Sequence, residues 1–210
     1  DISYAVVEFT GLNWNVQRIE HRFDSAGAST SPISAVSSLE QTFLYTQKRM
    51  GASTNVVHFG YTAWLSSIGA ITFELSAGAN TTIEQTAVAW VIENTQTGSN
   101  GMKVQRQNGL TSGGVEPLTL AVTISEAVGA VSNSSIFINS FTGGSNNAYP
   151  RPIVGARITA NDTYEIWRSD TGGSALNYRT EIVEYPVADL AIRQNYYRFY
   201  NDNDAVTPAD

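Results

Sequence analysis

The chain has 210 residues, 42% of them hydrophobic and only 15% charged, with a net charge of −7. That length allows one large or two small domains, and the acidic balance excludes the basic footprint of a nucleic-acid binder. Cysteine is absent, which rules out disulfides and thiolate metal sites.

The charged fraction lies well under the roughly 25% usual for soluble domains. Ser, Thr, Asn, Gln and Gly must therefore cover most of the surface. No apolar run reaches the roughly 18 residues a membrane-spanning helix needs. No signal peptide is visible, and the chain opens at Asp1 without Met, as a processed secreted product or a trimmed chain would. The expected location is the exterior of a prokaryotic cell, at its surface.

Taken in order, the segments read as strands near 2–9, 13–22, 41–47, 56–65, 70–76, 85–93, 102–107, 117–125, 135–140, 153–159, 163–168, 176–185 and 188–199. Each is a short apolar run bounded by Gly, Ser, Asn or Asp, the all-β pattern. Turns fall at Ser25-Ala26-Gly27, Thr97-Gly98-Ser99-Asn100-Gly101 and Asp170-Thr171-Gly172-Gly173, among others. The stretch 32–41 fits either a short helix or a strand.

Three strands share one phrase. "YAVVEF" ends near Glu8, "AWVIEN" near Glu93 and "TEIVEY" near Glu184, at intervals of about 90 residues. A second strand follows each: Val16-Gln17-Arg18, Val104-Gln105-Arg106, and the weaker Ala191-Ile192-Arg193. The segments ahead of the glutamate also match, 61–93 against 153–184, and "QTFLYTQKRMG" against "SSIFINSFTGG". A repeat of this length exceeds a solenoid coil or a propeller blade and suits an antiparallel sandwich. The expected architecture is all-β: two tandem antiparallel β-sandwich domains related by an internal repeat. The first covers 1–94, with 2–9 a closing or exchanged strand. The second covers 95–210, with 188–210 a C-terminal strand extension.

Alternation puts Ala89, Val91 and Glu93 on one face of a strand and Val88, Trp90 and Ile92 on the other. Both faces are apolar until the glutamate, as in a central strand whose end emerges at a rim. The glutamate has two readings: a carboxylate for acid–base or metal chemistry, or a rim charge. As a rim charge it bonds to neighbouring backbone or pairs with the repeated arginine, so that Glu8, Arg18, Glu93, Arg106, Glu184 and Arg193 form repeated structural pairs. A catalytic carboxylate is rarely copied once per structural repeat, so the structural reading is preferred.

The "VVEF … VQR" strand pair resembles tandem β-sandwich repeats of large secreted bacterial surface proteins and phage tail proteins. The accompanying elements are Arg157-Ile158-Thr159, Thr163 through Arg168, and Val183-Glu184. The sheet pattern is loosely similar to H-type lectin sandwiches. The first copy departs from it at Ala63-Trp64-Leu65 and Asn94. The resemblance implies an extracellular structural or adhesive role.

Enzyme signatures are missing: no G-x-S-x-G, P-loop, H-E-x-x-H or G-x-G-x-x-G occurs. His21 and His58 have no nucleophile beside them in sequence. The run 201–204, "NDND", offers oxygen ligands but lacks the spacing and glycine of a Ca²⁺ loop. No catalytic residue, cofactor or metal site is expected, and the chain is read as a non-enzyme. Asn80, Asn133 and Asn161 open Asn-x-Ser/Thr sequons, possible glycan attachment points. Trp64, Trp90 and Trp167 accompany Trp14 as the tryptophans; Trp90 and Trp167 read as core, and Trp14 is the best candidate for a binding surface, with core or interface packing the preferred reading.

The terminal strands carry the functional expectation. Ile2, Tyr4, Val6, Val7 and Phe9 form the last strand of a repeat whose body is absent. Tyr196, Tyr197, Phe199 and Tyr200 mark a strand leading into another. An unpaired strand edge invites pairing, and β-strand addition joins subunits head to tail. The expected partners are copies of the chain itself in a surface filament or stalk, with no membrane span and no nucleic acid. The alternative is a carbohydrate-binding adhesin or tail-fibre module that takes cell-surface glycans.

Overall fold

The computed structural model describes residues 9, 12–50, 61–75, 85–98, 101–110, 119–142, 154–168 and 176–186. The described residues form twelve strands and no α-helix: β1 Trp14–Arg22, β2 Gly27–Pro32, β3 Thr42–Met50, β4 Tyr61–Ser67, β5 Ala70–Leu75, β6 Gln85–Asn94, β7 Lys103–Leu110, β8 Thr119–Thr123, β9 Ser134–Thr142, β10 Val154–Ala160, β11 Thr163–Arg168 and β12 Leu176–Glu184. Single 3-10 turns at Leu39–Gln41 and Val131–Asn133 precede β3 and β9.

Among the described residues all pairings are antiparallel and the sheets are three-stranded, in the orders β1-β6-β3, β2-β5-β4, β7-β12-β9 and β8-β11-β10. The same six-strand connectivity is therefore used twice. The repeated phrase lies on the central strands β6 and β12, flanked on both sides as its two apolar faces require.

In the first half, sheets β1-β6-β3 and β2-β5-β4 share one core. Ala87, Ala89 and Val91 of β6 meet Ile71, Phe73 and Leu75 of β5, with Phe23, Leu44, Tyr61 and Leu65 around them. Small side chains on one sheet face large ones on the other, so the layers interdigitate. Each large side chain fully buried here contributes about 1.5–3 kcal/mol. In the second half, Tyr178 and Ile182 of β12 pack against Ile158, Tyr164 and Ile166 of β10 and β11. Tyr164 Oη lies 3.2 Å from Thr180 Oγ1, which satisfies the phenol inside that core.

Strand β2 has no counterpart in the sequence reading, which put a turn at 25–27 and nothing regular before 32. Its residues Gly27–Pro32 are small and polar, so no apolar alternation marks them. Pairing with β5 makes the strand, from Gly27↔Leu75 to Pro32↔Ala70. Gly27 enters it at φ 95°, a backbone conformation that only glycine adopts cheaply. The stretch 32–41 resolves into the end of β2, an extended connection and the 3-10 turn.

That connection is held by the same bonds in both halves. Ile33 N and Val36 N donate to Gly69 O and Ile68 O in the β4–β5 turn, and Ile124 N and Val128 N donate to Asp162 O and Asn161 O in the β10–β11 turn. Gln17 on β1 exchanges two bonds with the Ser34 backbone, 2.9 Å each. Gln105 on β7 does the same with Glu126, at 2.5 and 2.9 Å. Thr42 and Ser134 hydroxyls each donate to the carbonyl four residues back, Ser38 and Ala130.

Candidate assembly interface

Ladder register fixes the role of the repeated glutamates. Glu93 is buried on the inner side of its sheet, opposite Asn15 and Thr42. Its Oε1 accepts the Ser37 N–H at 2.5 Å and the Ser37 hydroxyl, and Oε2 accepts Asn15 Nδ2 at 3.1 Å. Burial alone would raise this carboxyl, but these donors and the Ser38 N–H outweigh it and hold the group below the usual carboxylate range. Glu184 Oε1 accepts the Gly129 N–H at 3.1 Å. Both carboxylates clamp the connection that precedes a 3-10 turn.

The expected pair of Glu93 with Arg106 does not form: Glu93 is held by Ser37 and Asn15, and Arg106 goes to Glu181. Across the ladders Arg18 faces Trp90, and Arg106 faces Glu181, three residues before the repeated glutamate. Arg18 Nη2 instead lies 3.2 Å from Glu20 Oε2 in an exposed pair. Glu8 and Arg193 lie outside the described residues.

Arg106 and Glu181 build the junction between the halves. Arg106 Nε is 3.2 Å from Glu181 Oε1. Its other nitrogens donate to Leu39 O at 2.7 Å and to Thr42 O. Glu181 Oε2 accepts the Leu44 N–H at 2.6 Å. Thr42 and Leu44 present these groups from the outer edge of β3. Beside them, Ala63 on β4 donates its N–H to Asn139 Oδ1 at 2.9 Å. Side chains on the face of sheet β7-β12-β9 thus supply the hydrogen bonds that a further strand would give to the open edge of the first half. Burial holds the Glu181 carboxyl above its usual range, and Arg106 and the Leu44 N–H offset only part of that rise.

An apolar cluster surrounds the pair. Phe43 and Ile92 of the first half meet Met102, Val104, Val183 and Tyr185 of the second. Phe43 stacks on Phe137, with centroids 5.1 Å apart. The Arg179 guanidinium lies 3.5 Å from the Trp64 ring centroid, a cation–π contact. Phe9, the one described member of the expected N-terminal assembly strand, lies 5.0 Å from the Trp14 ring and 6.3 Å from Phe43. Trp14 is therefore partly buried at the junction. Ile2, Tyr4, Val6, Val7, Tyr196, Tyr197, Phe199 and Tyr200 lie outside the described residues, as do residues 201–204.

The outer face of sheet β1-β6-β3 is different. Trp90, read from sequence as core, sits there partly exposed in the row Arg18–Trp90–Tyr45. Tyr45 is 41% exposed and Val16 45%. The Tyr45 and Trp90 ring centroids are 5.6 Å apart, and Gln47 Nε2 donates to Tyr45 Oη at 2.9 Å. The corresponding row of the second half is Arg106–Glu181–Phe137.

Other candidates are placed as follows. His21 stacks on Phe73, 4.3 Å between centroids, with Ser29 and Ser31 hydroxyls 2.8 Å from its two nitrogens. Burial lowers its pKa and Asp24 raises it less, so it is a neutral core residue near pH 7. Asn161 is exposed in the β10–β11 turn, and Asn133 is half-buried in a 3-10 turn; Asn80 and His58 lie outside the described residues. Trp167 packs over Gly155, directly across the ladder. Among the described residues no group of three His, Cys, Asp or Glu is placed to hold a metal ion, and no helix is long and apolar enough to cross a membrane.

No protein-family model, no curated protein and no solved structure matches the chain.

Proposed function

We propose that the protein is a structural subunit of an extracellular surface filament or stalk, in which copies join head to tail. The observation that carries this reading is the junction itself. One half offers an open strand edge, the other a sheet face, and neither uses up a surface of the same kind on its neighbour. A contact between unlike surfaces repeats without closing. The proposed joint includes β-strand addition by the segments 2–9 and 188–199, of which only Phe9 is among the described residues. The charge-poor, Ser/Thr/Asn-rich composition suits a surface-exposed role outside a prokaryotic cell.

Negative-stain electron microscopy, with light scattering on a sizing column, tests it. Regular filaments or concentration-dependent oligomers are expected. A monomer of 22.7 kDa at every concentration overturns it.

The second reading is a carbohydrate-binding adhesin or tail-fibre module. It is favoured by the Arg18–Trp90–Tyr45 row with Gln47, since aromatic faces beside amide and guanidinium donors suit sugar rings. Glycan-array binding that is lost in Trp90→Ala would support it over assembly.

A further inference from the structure

We infer that the outer face of sheet β1-β6-β3 is the docking surface for a second copy of this chain, and that the copy presents its β9–β10 edge. The inference rests on the assembly reading and specifies its joint. It comes from comparing equivalent positions of the two halves, where exposure changes systematically.

Position by position, the ladders match. The rows Arg18–Trp90–Tyr45 and Glu20–Val88–Gln47 correspond to Arg106–Glu181–Phe137 and Asn108–Arg179–Asn139. In the second half that face is covered by the first half's edge. In the first half the face is covered at Phe43 and Ile92, 1% and 4% exposed against the second half, and open elsewhere: Val16 is 45% and Tyr45 41% exposed, where Val104, the counterpart of Val16, is 6%. The edges show the reverse. Leu44 and Ala63 on the covered edge are each 1% exposed, and Thr62 is equally buried. Their counterparts Ile136, Ala156 and Gly155 are partly exposed. Among the described residues, the first half thus shows a face left partly uncovered at the rows Arg18–Trp90–Tyr45 and Glu20–Val88–Gln47, and the second half an edge left partly exposed, and surfaces of these two kinds already meet once inside the chain.

The chemistry of the internal contact is largely present on the open surfaces. Arg18 stands where Arg106 donates to edge carbonyls. Gln47 stands where Asn139 accepts the Ala63 N–H; its nitrogen is used by Tyr45, and its oxygen is the acceptor an edge N–H needs. The Arg179–Trp64 cation–π contact has its sides exchanged: the edge carries Arg157, and the face carries Val88 beside Trp90. The difference is Glu181, whose counterpart is Trp90, a side chain that cannot accept an N–H bond. Contact between copies therefore relies on burying Trp90, Tyr45 and Val16, and lacks the tether that joins the halves. It is weaker than the internal junction and depends on concentration. An exposed patch of this kind is what a self-association site needs.

The test uses the full chain, which has no native cysteine. A Val88→Cys, Arg157→Cys variant places thiols where Arg179 and Trp64 touch in the internal contact. Mild oxidation is expected to give a ladder of covalent oligomers, and either single variant no ladder. Tyr45→Glu, on the exposed face, is expected to reduce self-association in sedimentation velocity at least tenfold while leaving circular dichroism unchanged. If oligomers form but give no ladder and are insensitive to Tyr45→Glu, this joint is wrong and the assembly reading stands. If the wild-type chain stays monomeric at millimolar concentration and the double-cysteine variant gives no ladder, both fall.

Discussion

The Leu44 backbone N–H donates to Glu181 Oε2 at 2.6 Å across the boundary between the two halves. A strand edge in one half thereby depends on a carboxylate in the other, and Arg106 holds that carboxylate in place. Replacing Glu181 with Ala leaves the Leu44 N–H unpaired and leaves the Arg106 guanidinium with only its two backbone carbonyl partners. The expected cost is about 1–3 kcal/mol. A double-mutant cycle with Arg106→Ala should return a coupling of about 1–3 kcal/mol, read from denaturant midpoints. Additive effects would show that the pair does not act as a unit.

Asn139→Ala tests the second edge bond separately. It strands the Ala63 N–H beneath the junction, for an expected loss of about 1–3 kcal/mol. Asn139→Asp keeps the acceptor and should recover most of that loss in the same unfolding measurement.

Glu93 predicts an acid limb. Its folded pKa lies below the unfolded value, so the unfolded chain binds more protons as pH falls through that window. The stability contributed by Glu93 is complete above the ordinary carboxylate pKa and is lost as pH falls through the depressed one. Glu93→Gln should flatten the fall in melting temperature below about pH 5. It should also lower stability by about 1–3 kcal/mol at neutral pH, because Ser37 and Asn15 lose a charged acceptor. An unchanged acid limb would exclude this role.

Lys48 predicts an alkaline effect of opposite origin. Its ammonium lies 5.4 and 5.6 Å from the Phe23 and Tyr61 ring centroids, and burial pushes its pKa from 10.5 down to about 7. Between those values the unfolded chain holds the proton that the folded chain has released, so stability rises with pH. Lys48→Met should remove that rise and raise stability at pH 7 by upwards of about 1 kcal/mol. Urea titrations at pH 7 and pH 10 on both proteins would show it.

Gly155 and Gly109 predict backbone-packing effects. Trp167 and Tyr178 lie across the ladder from them and cover the space a Cβ would take, a way of supporting glycine in a strand. Gly155→Val should cost about 1–3 kcal/mol through overpacking and shift Trp167 fluorescence. A neutral result would mean that the indole moves aside freely.

What the sequence disclosed follows from the range of each interaction. β6 was legible because its alternation and its length sit within ten residues. β2 was not, because Gly27–Pro32 carries no apolar signal and owes its form to β5. Glu93 and Glu184 were recognised as repeated and structural, but the arginine sought beside Glu93, Arg106, pairs with Glu181, and Arg193, sought beside Glu184, lies outside the described residues. The missed residue was Glu181. Its signal was present: a carboxylate inside an apolar strand, where the first copy has Trp90, opposite the arginine of Val104-Gln105-Arg106. Aligning the two copies position by position exposes that exchange. Its target, Leu44, is 137 residues away, and no local pattern announces such a pairing. Trp90 is core on one side only, partly buried against the Phe43–Ile92 cluster, for a related reason: alternation gives the side of a strand, and tertiary packing decides how much of that side is covered.

The separation between Leu44 and Glu181 also gives the chain a history. The ribosome releases the first half, with β3 and β4 ready to fold, well before the carboxylate that closes their edge exists. At about 5–20 residues per second, roughly 7–30 s pass between the two. During that interval each nascent chain carries an adhesive border, and chains on neighbouring ribosomes carry the same one. Slowing translation across 95–180 should lengthen that exposure and increase insoluble product, whereas supplying the second half in trans should reduce it.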